Sequence, residues 1–235
     1  MKRWLLVTVG VMCMVMVSNV ISASAQSEDQ LRKDWAQLTR YADANASLPP
    51  PASDEKRVVF YGDSITDAWP LAKSFPGKPY VNRGISGQTT PQMLVRFRQD
   101  VLSLKPKAVV ILAGTNDLAQ NTGPETLEQI EGYFKSMCEL ARENHIQVVL
   151  ATILPALDFN WRPGLEPAPK VAKLNEWLQD YVRANNFVYL DYYSSLVDEH
   201  KGLKKSLSED GVHPNPAGYA VMTPLAEKAI ADALK

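Results

Sequence analysis

The 235-residue chain has only two cysteines, Cys13 and Cys138, and three histidines, and none of them falls at a spacing that ligates zinc. Neither a disulfide framework nor a metal centre is expected, and no cofactor is implied. Lys plus Arg number 25 against 26 Asp plus Glu, so there is no basic surplus to neutralise the phosphates of a nucleic-acid partner. Neither a Gly-x-x-x-x-Gly-Lys-Ser/Thr loop nor a Gly-x-Gly-x-x-Gly turn is present, which argues against a phosphate-binding enzyme. Asp63 and Asp67 are the one carboxylate pair that could in principle share a hard cation. With 46% hydrophobic and 22% charged residues the composition is that of an ordinary globular domain. At roughly 200 ordered residues such a chain buries about 70% of its unfolded surface and needs no staple.

No apolar run reaches the roughly 20 residues that span a bilayer as a helix. Trp4 to Val17 is uncharged, follows Lys2 and Arg3, and leads to Ala23-Ser24-Ala25, the small residues read by signal peptidase. This pattern predicts a signal peptide over 1–25, a secreted or periplasmic protein, and no stable membrane insertion after cleavage. Met12 before Cys13 is bulky where a lipoprotein signal has a small residue, so lipid anchoring is not expected. Removal of Lys2 and Arg3 leaves the mature chain mildly acidic, with Cys138 alone.

From Glu28 to Asn45, apolar Leu31, Trp35, Leu38 and Ala42 recur at helical steps and predict one helix on the domain's outside. Three consecutive prolines between Leu48 and Ser53 favour an extended connector, so 26–56 precede the main domain at 57–235. Within that domain short runs rich in Val, Ile and Leu alternate with helical patterns, which predicts a parallel sheet with helices on both faces. The expected strands are Val58–Tyr61, Tyr80–Val81, Ala108–Ala113, Val148–Ile153 and Phe187–Leu190. Thr122-Gly123-Pro124-Glu125 reads as a capping box for a helix ending near Asn144. Pro91–Leu102, Val171–Ala184 and Pro216–Leu234 carry the other apolar stripes.

In sheets of this kind ligands bind beyond the carboxyl ends of the strands, and four loops there are unusual in composition. Ser64 follows the first strand behind Gly62-Asp63, a position suited to a nucleophile and equally to a helix N-cap. Of His145, His200 and His213, only His213 lies in a turn with a carboxylate, Asp210, three positions earlier. A surface turn is the alternative. Asn116 in Gly114-Thr115-Asn116-Asp117 could donate a side-chain amide to an oxyanion, and Gly87 a main-chain N–H. An Asx turn and loop pivots at Gly84 and Gly87 would explain the same residues.

Gly62-Asp63-Ser64-Ile65, Asn82 to Gly87, Gly114 to Asp117 and Asp210-Gly211-Val212-His213-Pro214, in that order, resemble blocks of the SGNH hydrolases, or GDSL esterases and lipases. The resemblance runs from Val58 to about Leu234, and its wording looks closest to the branch similar to platelet-activating-factor acetylhydrolase subunits. Ile65 replaces the leucine of the family's name. The resemblance implies a three-layer flavodoxin-like α/β/α domain with a five-stranded parallel sheet. It also implies Ser64 as nucleophile, His213 as general base and acid, Asp210 as its orienting partner, and an oxyanion hole from Ser64, Gly87 and Asn116. Gly84 is the competing glycine.

The loop from Pro155 to Pro169 holds Phe159, Trp161 and Arg162 and is expected at the site's rim, where Trp161 stacks on a sugar, covers an acyl chain, or plugs the core. Asp117 and Trp69 are further candidates. The expected activity is hydrolysis of acetyl or other short-chain acyl esters, small-molecule or glycan. The alternatives are a thioesterase or lysophospholipase with longer acyl substrates, and an inert carbohydrate-binding protein.

Overall fold

The structure, a computed structural model, describes residues 33–235. The expected signal peptide lies outside them. Among the described residues no helix is long and apolar enough to cross a membrane. Five strands, β1 (Val58–Gly62), β2 (Tyr80–Gly84), β3 (Ala108–Leu112), β4 (Gln147–Ala151) and β5 (Val188–Leu190), form one sheet in the order β2-β1-β3-β4-β5. Every pairing is parallel, in register from Val58 opposite both Tyr80 and Ala108.

The strands are apolar on both faces because both faces are covered. Val59 and Tyr61 of β1, with Val109 and Ile111 of β3, face one helical layer. That layer is α4 (Thr90–Asp100), α6 (Leu127–Glu143) and α7 (Ala168–Asn185), which contribute Phe97, Phe134 and Leu174. Val58 and Phe60, with Val110 and Leu112, face the other layer. There α2 (Ser64–Asp67), α3 (Leu71–Ser74), α8 (Tyr193–Leu196) and α9 (Pro216–Ala233) contribute Ile65, Leu71, Leu196 and Met222. Each such side chain, once buried, stabilises the fold by about 1.5–3 kcal/mol. Cys138 is a free thiol buried in the first layer, where burial raises its pKa.

All five expected strands form, and β2 runs three residues further than the apolar pattern reached, carrying Asn82, Arg83 and Gly84. Two expectations are corrected. Residues 28–32 of the expected first helix lie outside the described residues, and 33–41 are not a continuous helix. The Asp34 carboxylate instead accepts from Leu38 N (2.7 Å), Thr39 N (2.9 Å) and the Thr39 hydroxyl (2.8 Å), which rolls the chain into turns with Gln37 at φ +52°. Helix resumes only at α1 (Ala42–Ser47). Three glutamine amides hold the segment on the domain: Gln88 to Ala36 O, Gln92 to Trp35 O and Gln99 to Leu38 O, at 2.7, 2.6 and 2.6 Å.

The second correction concerns the start of α6. Its capping box is Thr126 with Gln129, each side chain bonded to the other's main-chain N–H at 3.2 and 2.8 Å. Thr122 is not available for capping because its hydroxyl lies 2.9 Å from that of Thr89, and Glu125 is turned towards Asp117.

Candidate active site

The sheet order reverses direction between β1 and β3, and a crevice opens at the carboxyl end of such a switch point. Ser64 opens α2 after β1 and Asn116 lies in α5 (Thr115–Leu118) after β3, so the topology alone brings these two candidates together. Gly62 lets β1 turn at once into α2, because a Cβ there would lie 2.2 Å from the Thr66 hydroxyl and 2.5 Å from Leu112 O. Asp63 is the N-cap of α2, its carboxylate accepting from Ile65 N at 3.0 Å. The capping role weighed for Ser64 therefore belongs to its neighbour, and the Ser64 hydroxyl is released into the crevice.

That hydroxyl lies 2.8 Å from Nε2 of His213, 149 residues away. His213 Nδ1 lies 2.6 Å from Asp210 Oδ2. The same turn holds the carboxylate by its other oxygen, which accepts from Val212 N (2.9 Å), His213 N (2.8 Å) and the Ser208 hydroxyl (3.2 Å). Partial burial pushes the Asp210 pKa up, but the bonds from the His213 ring and from the two main-chain N–H groups outweigh it, and the net shift is downward. A carboxylate at Nδ1 requires the ring proton there, which leaves Nε2 to accept from the serine. His145 instead ends α6 at φ +57°, and His200 is exposed beside Glu199. Neither reaches the crevice.

Three potential donors lie just beyond the carboxyl ends of β1, β2 and β3. Among the described residues neither Ser64 N–H nor Gly87 N–H finds an acceptor. Gly84 N–H, by contrast, is taken by Asn82 Oδ1 at 2.8 Å. Of the two glycines, Gly87 is thus the one with a donor to offer. Asn116 is buried, with one side-chain N–H given to Gln88 O at 3.0 Å and its Oδ1 receiving Asn121 Nδ2 at 3.0 Å. Its second N–H is uncommitted.

At the rim Trp161 is 41% exposed, its ring centroid 6.1 Å from that of His213 and 5.2 Å from that of Phe159. Its indole N–H donates to Asn121 Oδ1 at 3.0 Å. Arg162 is exposed beside it, with its main-chain N–H on Phe159 O. Two candidates are not at the rim. Trp69 is buried among Phe60, Phe75 and Tyr219 in the core. Asp117 is buried under the site, accepting from Thr90 N at 2.9 Å and from the Thr90 hydroxyl. Aromatic mass in one case and a polar residue of a motif in the other suggest surface roles, but both side chains turn inward.

Burial raises the Asp117 carboxyl to about 7 and the Asp63 carboxyl to about 6, the latter restrained by the Ile65 N–H and by the nearby His213. Asp63 and Asp67 do not converge on a common ion: Asp67 accepts from Ser86 N and the Ser86 hydroxyl at 3.2 and 2.8 Å. Asn121 and Tyr219 were not singled out from the sequence. An asparagine in Gln120-Asn121-Thr122-Gly123 reads as an ordinary turn residue, and nothing local marks it as a link between Gly87, Asn116 and Trp161.

Most of the chain matches one known family. The model of the GDSL-like lipase/acylhydrolase family matches residues 60–221. A solved Bacteroides fragilis structure superimposes with a TM-score of 0.84 at 48% identity, over 86% of this chain and 99% of that one. The human platelet-activating factor acetylhydrolase IB subunit alpha2 is 27% identical over 187 residues, 74% of this chain and 76% of that protein. An acetylxylan esterase of Geobacillus stearothermophilus is 24% identical over 200 residues, 71% of this chain and 90% of that protein. The Bacillus subtilis lipoprotein YqeF aligns at 35% identity over 88 residues, so the match spans only 36% of its length. By the extent of the family match and by the fold, the chain belongs to the GDSL-like lipase/acylhydrolase family, and with it to the carboxylic ester hydrolases.

Proposed function

We propose that this chain is an exported serine esterase that removes acetyl or other short acyl groups, from small esters or from acetylated carbohydrate, with Ser64, His213 and Asp210 as its triad. The observation that carries this reading is the unbroken chain of bonds from the Ser64 hydroxyl through the His213 ring to Asp210, at 2.8 and 2.6 Å. Ser64 Oγ attacks the ester carbonyl carbon as its proton passes to His213 Nε2. The carbonyl oxygen becomes negative and is met by the N–H groups of Ser64 and Gly87 and by the free amide N–H of Asn116, each worth roughly 3–4 kcal/mol to the transition state. Collapse breaks the bond to the leaving alcohol, which takes the proton from His213, and an acyl-Ser64 ester remains. Water, deprotonated by His213, repeats the sequence and releases the carboxylic acid. Asp210 stays ionised throughout and stabilises the imidazolium.

The short acyl group is supported by the named activities of two relatives, an acetylxylan esterase and a platelet-activating factor acetylhydrolase subunit. Export rests on the run from Lys2 to Ala25. A series of p-nitrophenyl esters from acetyl to long chains, run beside acetylated xylo-oligosaccharides, tests the substrate. kcat/KM greatest at acetyl is the expected result. Rates rising towards long chains would transfer the assignment to a thioesterase or lysophospholipase, and glycan binding without ester turnover would make the site inert.

A further inference from the structure

We infer that Asn121 is the positioning residue of the oxyanion hole, steadying the Asn116 amide by its oxygen, and that the indole N–H of Trp161 holds Asn121 in the orientation that does so. The inference rests on the hole proposed above.

An asparagine amide can present either its oxygen or its nitrogen to a given neighbour, and only its partners decide which. Here four groups lie in a row. Trp161 Nε1 meets Asn121 Oδ1 (3.0 Å), Asn121 Nδ2 meets Asn116 Oδ1 (3.0 Å), and Asn116 Nδ2 meets Gln88 O (3.0 Å). The indole at one end can only donate, and the carbonyl at the other can only accept. Both amides between them therefore have one permitted orientation. In that orientation the Asn116 oxygen is turned away from the crevice and its second N–H is the group left to meet a negative oxygen.

Asn121 acts on the second donor as well. Its other N–H goes to Gly87 O at 3.1 Å, anchoring a residue at φ +79° that has no side chain of its own to hold it. A Cβ on Gly87 would meet nothing closer than Asn121 Nδ2 at 3.9 Å, so this amide is its nearest neighbour there. Trp161 is thus more than an aromatic surface at the rim. A substrate group packed on its exposed face bears on the same row of bonds that aims the Asn116 amide.

Asn121→Asp tests this, because an oxygen then replaces the Nδ2 that donates to Asn116 Oδ1, so the Asn116 amide loses the donor that steadies it and meets a repelling carboxylate instead. The expected result with p-nitrophenyl acetate is a fall in kcat of at least about tenfold, consistent with weakening one oxyanion donor, with KM within about threefold. In an Asn116→Ala background the same change is expected to lower kcat by a clearly smaller factor, since the amide it steadies is already gone and only its hold on Gly87 O remains to be lost. Trp161→Phe, which deletes only the N–H, is expected to give a smaller fall and the same non-additivity. Asn121→Ala serves if the aspartate variant does not fold. Unchanged kcat in the folded Asn121 variants, or an equal loss in the Asn116→Ala background, overturns the inference. Independently of turnover, the Asn116 side-chain amide signal in 15N-labelled protein is expected to shift on Trp161→Phe, and an unmoved signal overturns it too. Ser64→Ala in the same assay reports on the triad alone, so failure of the esterase reading is seen separately.

Discussion

The Tyr219 hydroxyl donates to Ile65 O at 2.8 Å, joining α9, which begins three residues after His213, to the residue that follows Ser64. The base and the nucleophile come from opposite ends of the domain, and this bond couples the elements that carry them. Asn215 reinforces it by capping α9 through Ala217 N and Gly218 N at 2.9 and 3.0 Å. Tyr219→Phe is expected to leave the buried Ile65 carbonyl without a donor, at a cost of about 1–3 kcal/mol. Thermal denaturation reads the loss, and a several-fold fall in kcat at unchanged KM reports the loosened register.

Asp210→Asn keeps the shape of the turn but can present an N–H to Nδ1, which favours the wrong imidazole tautomer. kcat for p-nitrophenyl acetate is expected to fall by about 10³–10⁴. Because its hydrogen bonds hold the Asp210 pKa below the ordinary carboxylate value, its stabilising contribution is present above that ordinary value and is lost only as pH falls through the lowered one. Loss of activity on the acid side, with the fold intact, is therefore not expected to come from protonation of Asp210. Near-wild-type kcat in Asp210→Asn would contradict the role given to it.

Gly84 and Gly87 separate a packing glycine from a site glycine. A Cβ on Gly84 would lie 2.1 Å from Asp67 N, and main chain cannot yield there. Gly84→Ala is expected to abolish soluble, folded protein. Gly87→Ala has room but must hold φ near +79°, at a cost of about 1–2 kcal/mol, so it is expected to fold with a lowered melting temperature. Expression and thermal denaturation of the two variants check this ordering.

The buried Asp117 carboxyl gives a pH signature in stability. Burial and the nearby Glu125 raise it to about 7, against hydrogen bonds from Thr90 that lower it. Burial raises Glu125 as well, and Tyr133 senses the charge of both. A raised folded value means that the folded state keeps a proton the unfolded chain has lost, so this stabilisation is full below about 4 and is lost as pH rises through about 7. Asn at this position can still accept from Thr90 and can donate to Glu125 without titrating. The melting temperature of Asp117→Asn relative to wild type is expected to rise between about pH 5 and pH 8.5. Parallel curves would show that Asp117 does not titrate in this range.

The strands and the four loops were legible because their signals are local: buried apolar runs, and polar motifs behind Gly62 and Gly114. The row from Trp161 to Gln88 was not, because its members come from three loops and each alone reads as a turn or packing residue. The first segment misled for a related reason. Its apolar spacing is helical, but the Asp34 carboxylate offers the main chain a competing set of bonds that periodicity does not register. Asp117 and Trp69 turn inward, because residue type and motif do not reveal which side chains of a segment face the core.

The central claim is that Ser64 carries the acyl group, and the direct measurement is turnover of p-nitrophenyl acetate by purified Ser64→Ala, with the mass of the wild-type enzyme recorded during turnover. The account expects kcat reduced by more than about 10³ in the folded variant, and an added acetyl mass on the Ser64 peptide of the wild type. Wild-type turnover by Ser64→Ala, or an acetyl group trapped on another residue, would contradict it.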